Sequence, residues 1–71
     1  MATPVEAPMV GKVLQVLVNV GDTVAEDDTL IVMEAMKMEI NVVAPVGGRV
    51  AEIRVAPGDA VETDQVVAVI E

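Results

Sequence analysis

The chain has 71 residues, 12 of them acidic and 4 basic, for a net charge of −8, with no cysteine, no histidine and no aromatic residue. Disulfides, thiolate metal sites and histidine catalysis or ligation are therefore excluded. Nucleic acid and anionic membrane surfaces are disfavoured partners, because both are held by Lys and Arg.

The core must be built from Val, Ile, Leu, Met and Ala. A domain of this length buries only about 60% of the surface its unfolded chain exposes. A single domain over residues 1–71 is expected, with most of the acids on a solvated surface. The opening MATPVEAP has neither the basic nor the apolar region of a signal peptide. No apolar run approaches the ~20 residues of a membrane helix. A soluble, cytoplasmic chain with no membrane insertion is the expectation.

In chain order, strands are predicted near 4–7, 11–18, 23–25, 29–35, 38–44, 48–55, 60–62 and 66–70, where Val, Ile and Thr are dense between turn signals. Pro8 and Pro45 cannot donate to a ladder and mark strand edges or entries. In the second strand the apolar residues Val13, Val16 and Val18 are spaced three, then two, where a regular strand alternates by two. One extra residue predicts a bulge near Leu14-Gln15, whose bend would let the strand serve two sheets. Val20-Gly21 and Pro57-Gly58, each followed by Asp, suit type II turns with Gly at positive φ. Second turns are expected at Glu26-Asp27-Asp28 and Thr63-Asp64-Gln65.

The later strands repeat the earlier ones. Residues 7–34, APMVGKVLQVLVNVGDTVAEDDTLIVME, align without a gap on residues 44–71, APVGGRVAEIRVAPGDAVETDQVVAVIE, with 11 identities at an offset of 37. Val50, Ile53 and Val55 carry the same irregular spacing, with its bulge near Ala51-Glu52. Two copies are too few for a solenoid but suit a pseudo-twofold domain in which each half covers the other's apolar face. The fold class is therefore all-β: two four-stranded antiparallel sheets forming a flattened barrel or sandwich with quasi-twofold symmetry. The predicted core is Val13, Val16, Val18, Val24, Leu30, Val32, Ile40, Val50, Ile53, Val55, Val61, Val67 and Val69. The inward parity of 29–34 and 66–71 stays open, because both faces are apolar apart from the terminal Glu.

The copies are joined by a connector, AMKMEINVV, and its Lys37 has no counterpart at the offset of 37. If strands flank it, the chain must reverse at Ala35-Met36-Lys37-Met38. A two-residue hairpin loop favours a type I′ turn, with positive φ at both central residues. These residues are poor turn formers and good helix formers. Such conflicts between local preference and global position are expected at functional sites. Three readings compete: methionines as core gap-fillers around a solvated lysine, a helix linking two half-domains, or a presented lysine that is covalently modified. Exposed methionines suit the third, since Met offers a partner adaptable apolar contact.

The stretch EAMKM, within APMVGKV, VNVGDTV, APVGGRV and VAPGDAVETDQVV, resembles the attachment motif of biotinyl domains, the carriers of biotin-dependent carboxylases and decarboxylases. The likeness covers about residues 5–71. It implies the barrel-sandwich hybrid of biotinyl and lipoyl type, with the attachment lysine on a tight hairpin and the termini at the opposite end. It implies biotin joined by an amide to Lys37, through attack of the neutral amine on biotinyl-adenylate held by biotin protein ligase. It assigns Met36 and Met38 to ligase recognition and later carboxyl transfer, and places Ala35 and Glu34 in the same motif. The partners implied are that ligase, a biotin carboxylase, and a carboxyltransferase or decarboxylase subunit. The module itself would be a non-catalytic carrier whose tether raises effective concentration.

A lipoyl carrier is the nearest rival. It has the same fold, but its attachment lysine is usually preceded by Asp, where this chain has Met36. An unmodified β interaction module is the third option. The gapless repeat leaves no room between Lys12 and Asp22 for the "thumb" loop of bacterial acetyl-CoA carboxylase carriers. That favours carriers like those of pyruvate carboxylase, transcarboxylase, acyl-CoA carboxylase or decarboxylases. Glu26, Asp27 and Asp28 lack the spacing of a calcium loop and are expected to form a solvated turn.

Overall fold

The computed structural model describes residues 2–71, so residue 1 of the span 1–71 lies outside the described residues. Eight strands form: β1 (Thr3–Glu6), β2 (Gly11–Val16), β3 (Thr23–Val24), β4 (Thr29–Ala35), β5 (Met38–Val43), β6 (Gly48–Ile53), β7 (Ala60–Val61) and β8 (Val66–Ile70). No helix occurs among the described residues, so none there is long and apolar enough to cross a membrane. The strands pair antiparallel in two four-stranded sheets, ordered β5-β4-β2-β7 and β1-β8-β6-β3. The body is elongated, with principal extents of 32 × 18 × 18 Å.

The repeat folds as two equivalent halves that exchange their shortest strands. Each sheet takes two strands from one copy of the pseudo-repeat (β2 and β4, or β6 and β8), one two-residue strand from the other copy (β7 or β3), and an edge strand outside both copies (β5 or β1). The expected bulges are present: register shifts between Val13 and Gln15 in β2 and between Val50 and Glu52 in β6. They do not carry a strand from one sheet to the other. β2 pairs with β4 and β7 inside a single sheet, and β3 and β7 make the crossing between halves.

Four turns lock the halves together. In each, the fourth residue's N–H donates to the first residue's carbonyl: Asp22 to Asn19, Asp28 to Ala25, Asp59 to Ala56 and Gln65 to Glu62, at 3.0–3.1 Å. The third residue takes positive φ: Gly21 98°, Asp27 72°, Gly58 96° and Asp64 65°. The fourth side chain also accepts a hydrogen bond from the first residue's N–H, at 2.9–3.0 Å. Asp22, Asp28 and Asp59 are thus engaged in their own turns. The turns then clasp the other half. Gly58 donates to the Val13 carbonyl while Val13 donates to Asp59, and Gly21 donates to Val50 while Val50 donates to Asp22. Buried Ala7 and Ala44 are gripped in the same way by the turns at 62–65 and 25–28.

The core lies between the sheets and resolves the open parity. Ile31, Met33, Ala68 and Ile70 face inward, whereas Val32 and Val69 are buried yet stand outside the core cluster. Their cross-strand neighbours are Gln15 and Asn41 for Val32, and Pro4 and Glu52 for Val69. Four predicted core residues, Val16, Val18, Ile40 and Ile53, are only partly buried and pack against the core from outside. Ile40 lies on the edge strand β5, and Val16 and Ile53 end their strands beyond the bulge. Val5, Ala7, Ile31, Met33, Ala35, Val42, Ala44, Ala68 and Ile70 belong to the core although they were not predicted in it.

The two outer faces differ where their backbones correspond. Leu14, Leu17 and Val43 are exposed on the sheet carrying β4 and β5. The repeat equivalents of Leu14 and Leu17 on the other sheet are Ala51 and Arg54, and the place of Val43, paired with Thr29, is taken there by Glu6, paired with Val66. The fold therefore accepts polar or small residues at these places.

Candidate functional site

β4 and β5 are paired from Thr29↔Val43 to Ala35↔Met38, leaving Met36 and Lys37 as the two-residue loop. Their φ values are 51° and 64°, both positive as a type I′ turn requires. Neither residue is a Gly, Asn or Asp, and a left-handed conformation costs an ordinary L-residue about 1–2 kcal/mol. The pairing of β4 with β5, anchored by Ile31, Met33 and Val42 in the core, holds this reversal against local preference. The helical reading of EAMKMEI is thereby overturned. So is the reading of the flanking methionines as core fillers: Met36 is 82% exposed and Met38 65%. The methionine that fills the core here is Met33, at 1%.

The five motif residues divide by environment. Lys37 is exposed at the tip, and the single ion pair among the described residues lies elsewhere, between Arg54 Nε and Glu52 Oε1 at 3.2 Å. Glu34 and Glu39 are exposed and directly opposite one another, with Lys12 opposite Glu34 on the next strand. Like charges in facing positions oppose pairing, so this rung adds nothing to the hairpin's own stability. Ala35 is buried, 4% exposed, beneath the tip. Its side chain is turned to the interior and is not presented with those of Lys37, Met36 and Met38.

Gly11 completes the support and was not singled out for this from sequence. A Cβ there would run into the Glu34 carbonyl oxygen and lie 2.6 Å from Met33 Cε and 3.1 Å from Ala35 Cβ. Only glycine lets β2 approach the last turn of backbone before the loop this closely. The available signal was the identity of Gly11 and Gly48 in the repeat; Gly48 makes the same close approach to the Glu71 carbonyl oxygen.

No cavity and no cluster of metal-ligating side chains occurs among the described residues. What the arrangement offers chemically is one primary amine on a flexible stem, held away from the body between two exposed thioethers. An amine of this kind suits acylation to a stable amide, and a rigid hairpin beneath it suits delivery of the attached group to another protein's site.

The family model described as Biotin-requiring enzyme matches residues 3–70. Over 42 residues, 59% of this chain, the sequence is 57% identical to a biotin carboxyl carrier protein of Streptococcus mutans, covering 32% of that protein. Over 43 residues it is 51% identical to a biotinylated protein TB7.3 homolog of Mycolicibacterium smegmatis, covering 61% of each. The crystal structure of Kluyveromyces lactis urea carboxylase contains a region that superposes on all of this chain with a TM-score of 0.95 and 37% identity, 6% of that protein's length. The chain thus spans less than two thirds of each of these relatives.

Proposed function

This chain belongs to the Biotin-requiring enzyme family, and we propose that residues 1–71 act as one biotin carboxyl carrier module with Lys37 as the attachment residue. The observation that carries this is the tip itself: an exposed lysine between two exposed methionines on a loop whose conformation its residues disfavour. A solvated turn with no task would be expected to carry Asn or Gly there.

The residues fit the group. The Lys37 amine, once deprotonated, attacks the acyl carbon of biotinyl-adenylate held by biotin protein ligase; an amide forms and AMP leaves. Arginine could not act as this nucleophile, and serine would give a labile ester. Met36 and Met38 supply the adaptable apolar surround the ligase reads. Ala35 and Gly11 keep the base of the hairpin close-packed, and Glu34 and Glu39 edge it with charge. Biotin, once bound, supplies the chemistry of carrying a carboxyl group.

The chain's part is then mechanical. The four-carbon stem of Lys37 gives reach, and the elongated body gives a handle. Tethering raises the effective concentration of the arm at a biotin carboxylase and at a carboxyltransferase or decarboxylase. The module is a carrier and not itself a catalyst, and it works in the cytoplasm with those subunits. Intact-mass measurement after incubation with biotin, ATP and biotin protein ligase tests this. One biotin increment on the native chain and none on Lys37→Arg is expected. An increment on Lys37→Arg, or a lipoyl increment from a lipoate ligase in its place, overturns it.

A further inference from the structure

Peroxide has few targets in this chain. With no Cys, His, Trp or Tyr, methionine is the one readily oxidised side chain in the sequence. Among the described residues the methionines fall into two environments. Met33 is enclosed in the core and Met9 is half-buried against it, whereas Met36 and Met38 stand 82% and 65% exposed. Oxidation follows exposure. Among the described residues the exposed oxidisable chemistry is therefore concentrated on the two residues flanking Lys37.

We infer that Met36 and Met38 form a hydroperoxide-sensitive modification site, and that their sulfoxides suspend biotin loading of Lys37 reversibly. The effect on loading rests on Lys37 being the attachment residue. In the step, a thioether sulfur lone pair attacks an oxygen of the hydroperoxide. The S–O bond forms, the O–O bond breaks, and the leaving oxygen takes the proton to depart as water or an alcohol. Sulfur is oxidised by two electrons and the peroxide reduced by two. Reduction by methionine sulfoxide reductases returns the thioether: the oxygen leaves as water and two thiols become a disulfide, with one enzyme serving each sulfoxide epimer.

The consequence follows from polarity. A thioether offers apolar, deformable contact, and a sulfoxide brings a strong dipole that a partner's apolar surface must desolvate. The Lys37 amine is chemically untouched. The hairpin stays folded, because its anchor Met33 is shielded. Oxidation thus removes the recognition surround and leaves the nucleophile.

The test uses the unbiotinylated chain, treated with graded hydrogen peroxide, quenched, and mapped by peptide mass. Met36 and Met38 are expected to gain oxygen before Met33 does. The kcat/KM for ligase loading of the doubly oxidised chain is expected to fall by at least about tenfold, the scale on which a recognition pocket discriminates a small change in apolar contact. A small activated ester should still acylate Lys37 at the unoxidised rate. Treatment with the two sulfoxide reductases and thiol should restore loading. The Met36→Leu/Met38→Leu variant should keep its own loading rate through the same peroxide treatment. Oxygen appearing first at Met33, or full-rate loading of the doubly oxidised chain, overturns the inference. Failure of the unoxidised chain to load overturns the attachment role itself and is visible before peroxide is added.

Discussion

Replacing Met36 by Asn and Lys37 by Gly would give the hairpin the loop its geometry favours. Both positions have positive φ, 51° and 64°, and Asn-Gly is the preferred type I′ pair. Left-handed backbone costs about 1–2 kcal/mol per ordinary residue, so the native pair bears about 2–4 kcal/mol. Asn recovers part of its share. Gly recovers its own but loses about 0.5–1 kcal/mol through the greater freedom of the unfolded chain. The exposed methionine side chain that is removed takes little packing with it. A net stabilisation of about 1–2 kcal/mol is expected, a large fraction of the total for a chain this short. Equilibrium unfolding in urea, followed by far-ultraviolet circular dichroism, reads it directly. With a slope near 1 kcal/mol/M, the low end for small proteins, the midpoint should rise by about 1–2 M. The same variant should accept no biotin. An unchanged or lower midpoint at unchanged slope would refute the claim that function keeps a disfavoured pair in this loop.

Gly11→Ala should destabilise the chain by about 1–2 kcal/mol in urea titration: overpacking against the Glu34 carbonyl and Met33 outweighs the entropic gain of losing a glycine. A rise in midpoint would show that β2 can back away from the hairpin. Leu17→Arg and Val43→Glu install the residues found at the corresponding places on the other sheet, Arg54 and Glu6, and should each change stability by less than about 0.5 kcal/mol. A larger loss would mean this outer face bears on the fold. Met36→Leu or Met38→Leu should retain partial loading and slow turnover in the assembled complex. Undiminished turnover would count against a transfer role for the methionines.

The sequence made the halves, the hairpin and the bulges legible for one reason: each is a local departure that the repeat displays twice or conspicuously fails to display. The three-then-two spacing in both copies marked the register shifts at Leu14 and Ala51. The absence of any repeat partner for Lys37 isolated the loop. The parity of β4 and β8 was not legible, because Val32 and Val69 are as apolar as the inward residues beside them and are covered on the outer face. Nor was the strand exchange. It depends on two-residue strands, β3 and β7, too short to carry a pattern of their own. The burial of Ala35 was hidden for another reason. It sits in a motif read as recognition, yet Gly11, 24 positions earlier, makes the space that keeps it inside. Contacts between residues so far apart leave no mark on local spacing.

The central claim is that Lys37, and not the chain's other lysine, is the one residue on which the carrier role depends. Peptide-level mass mapping of the native chain after loading by biotin protein ligase tests it most directly. One biotin, found on the peptide containing Lys37, with Lys12 unmodified and Lys37→Arg folded but unloaded, is the predicted result. Biotin on Lys12, persistent loading of Lys37→Arg, or unfolding of that variant would contradict it.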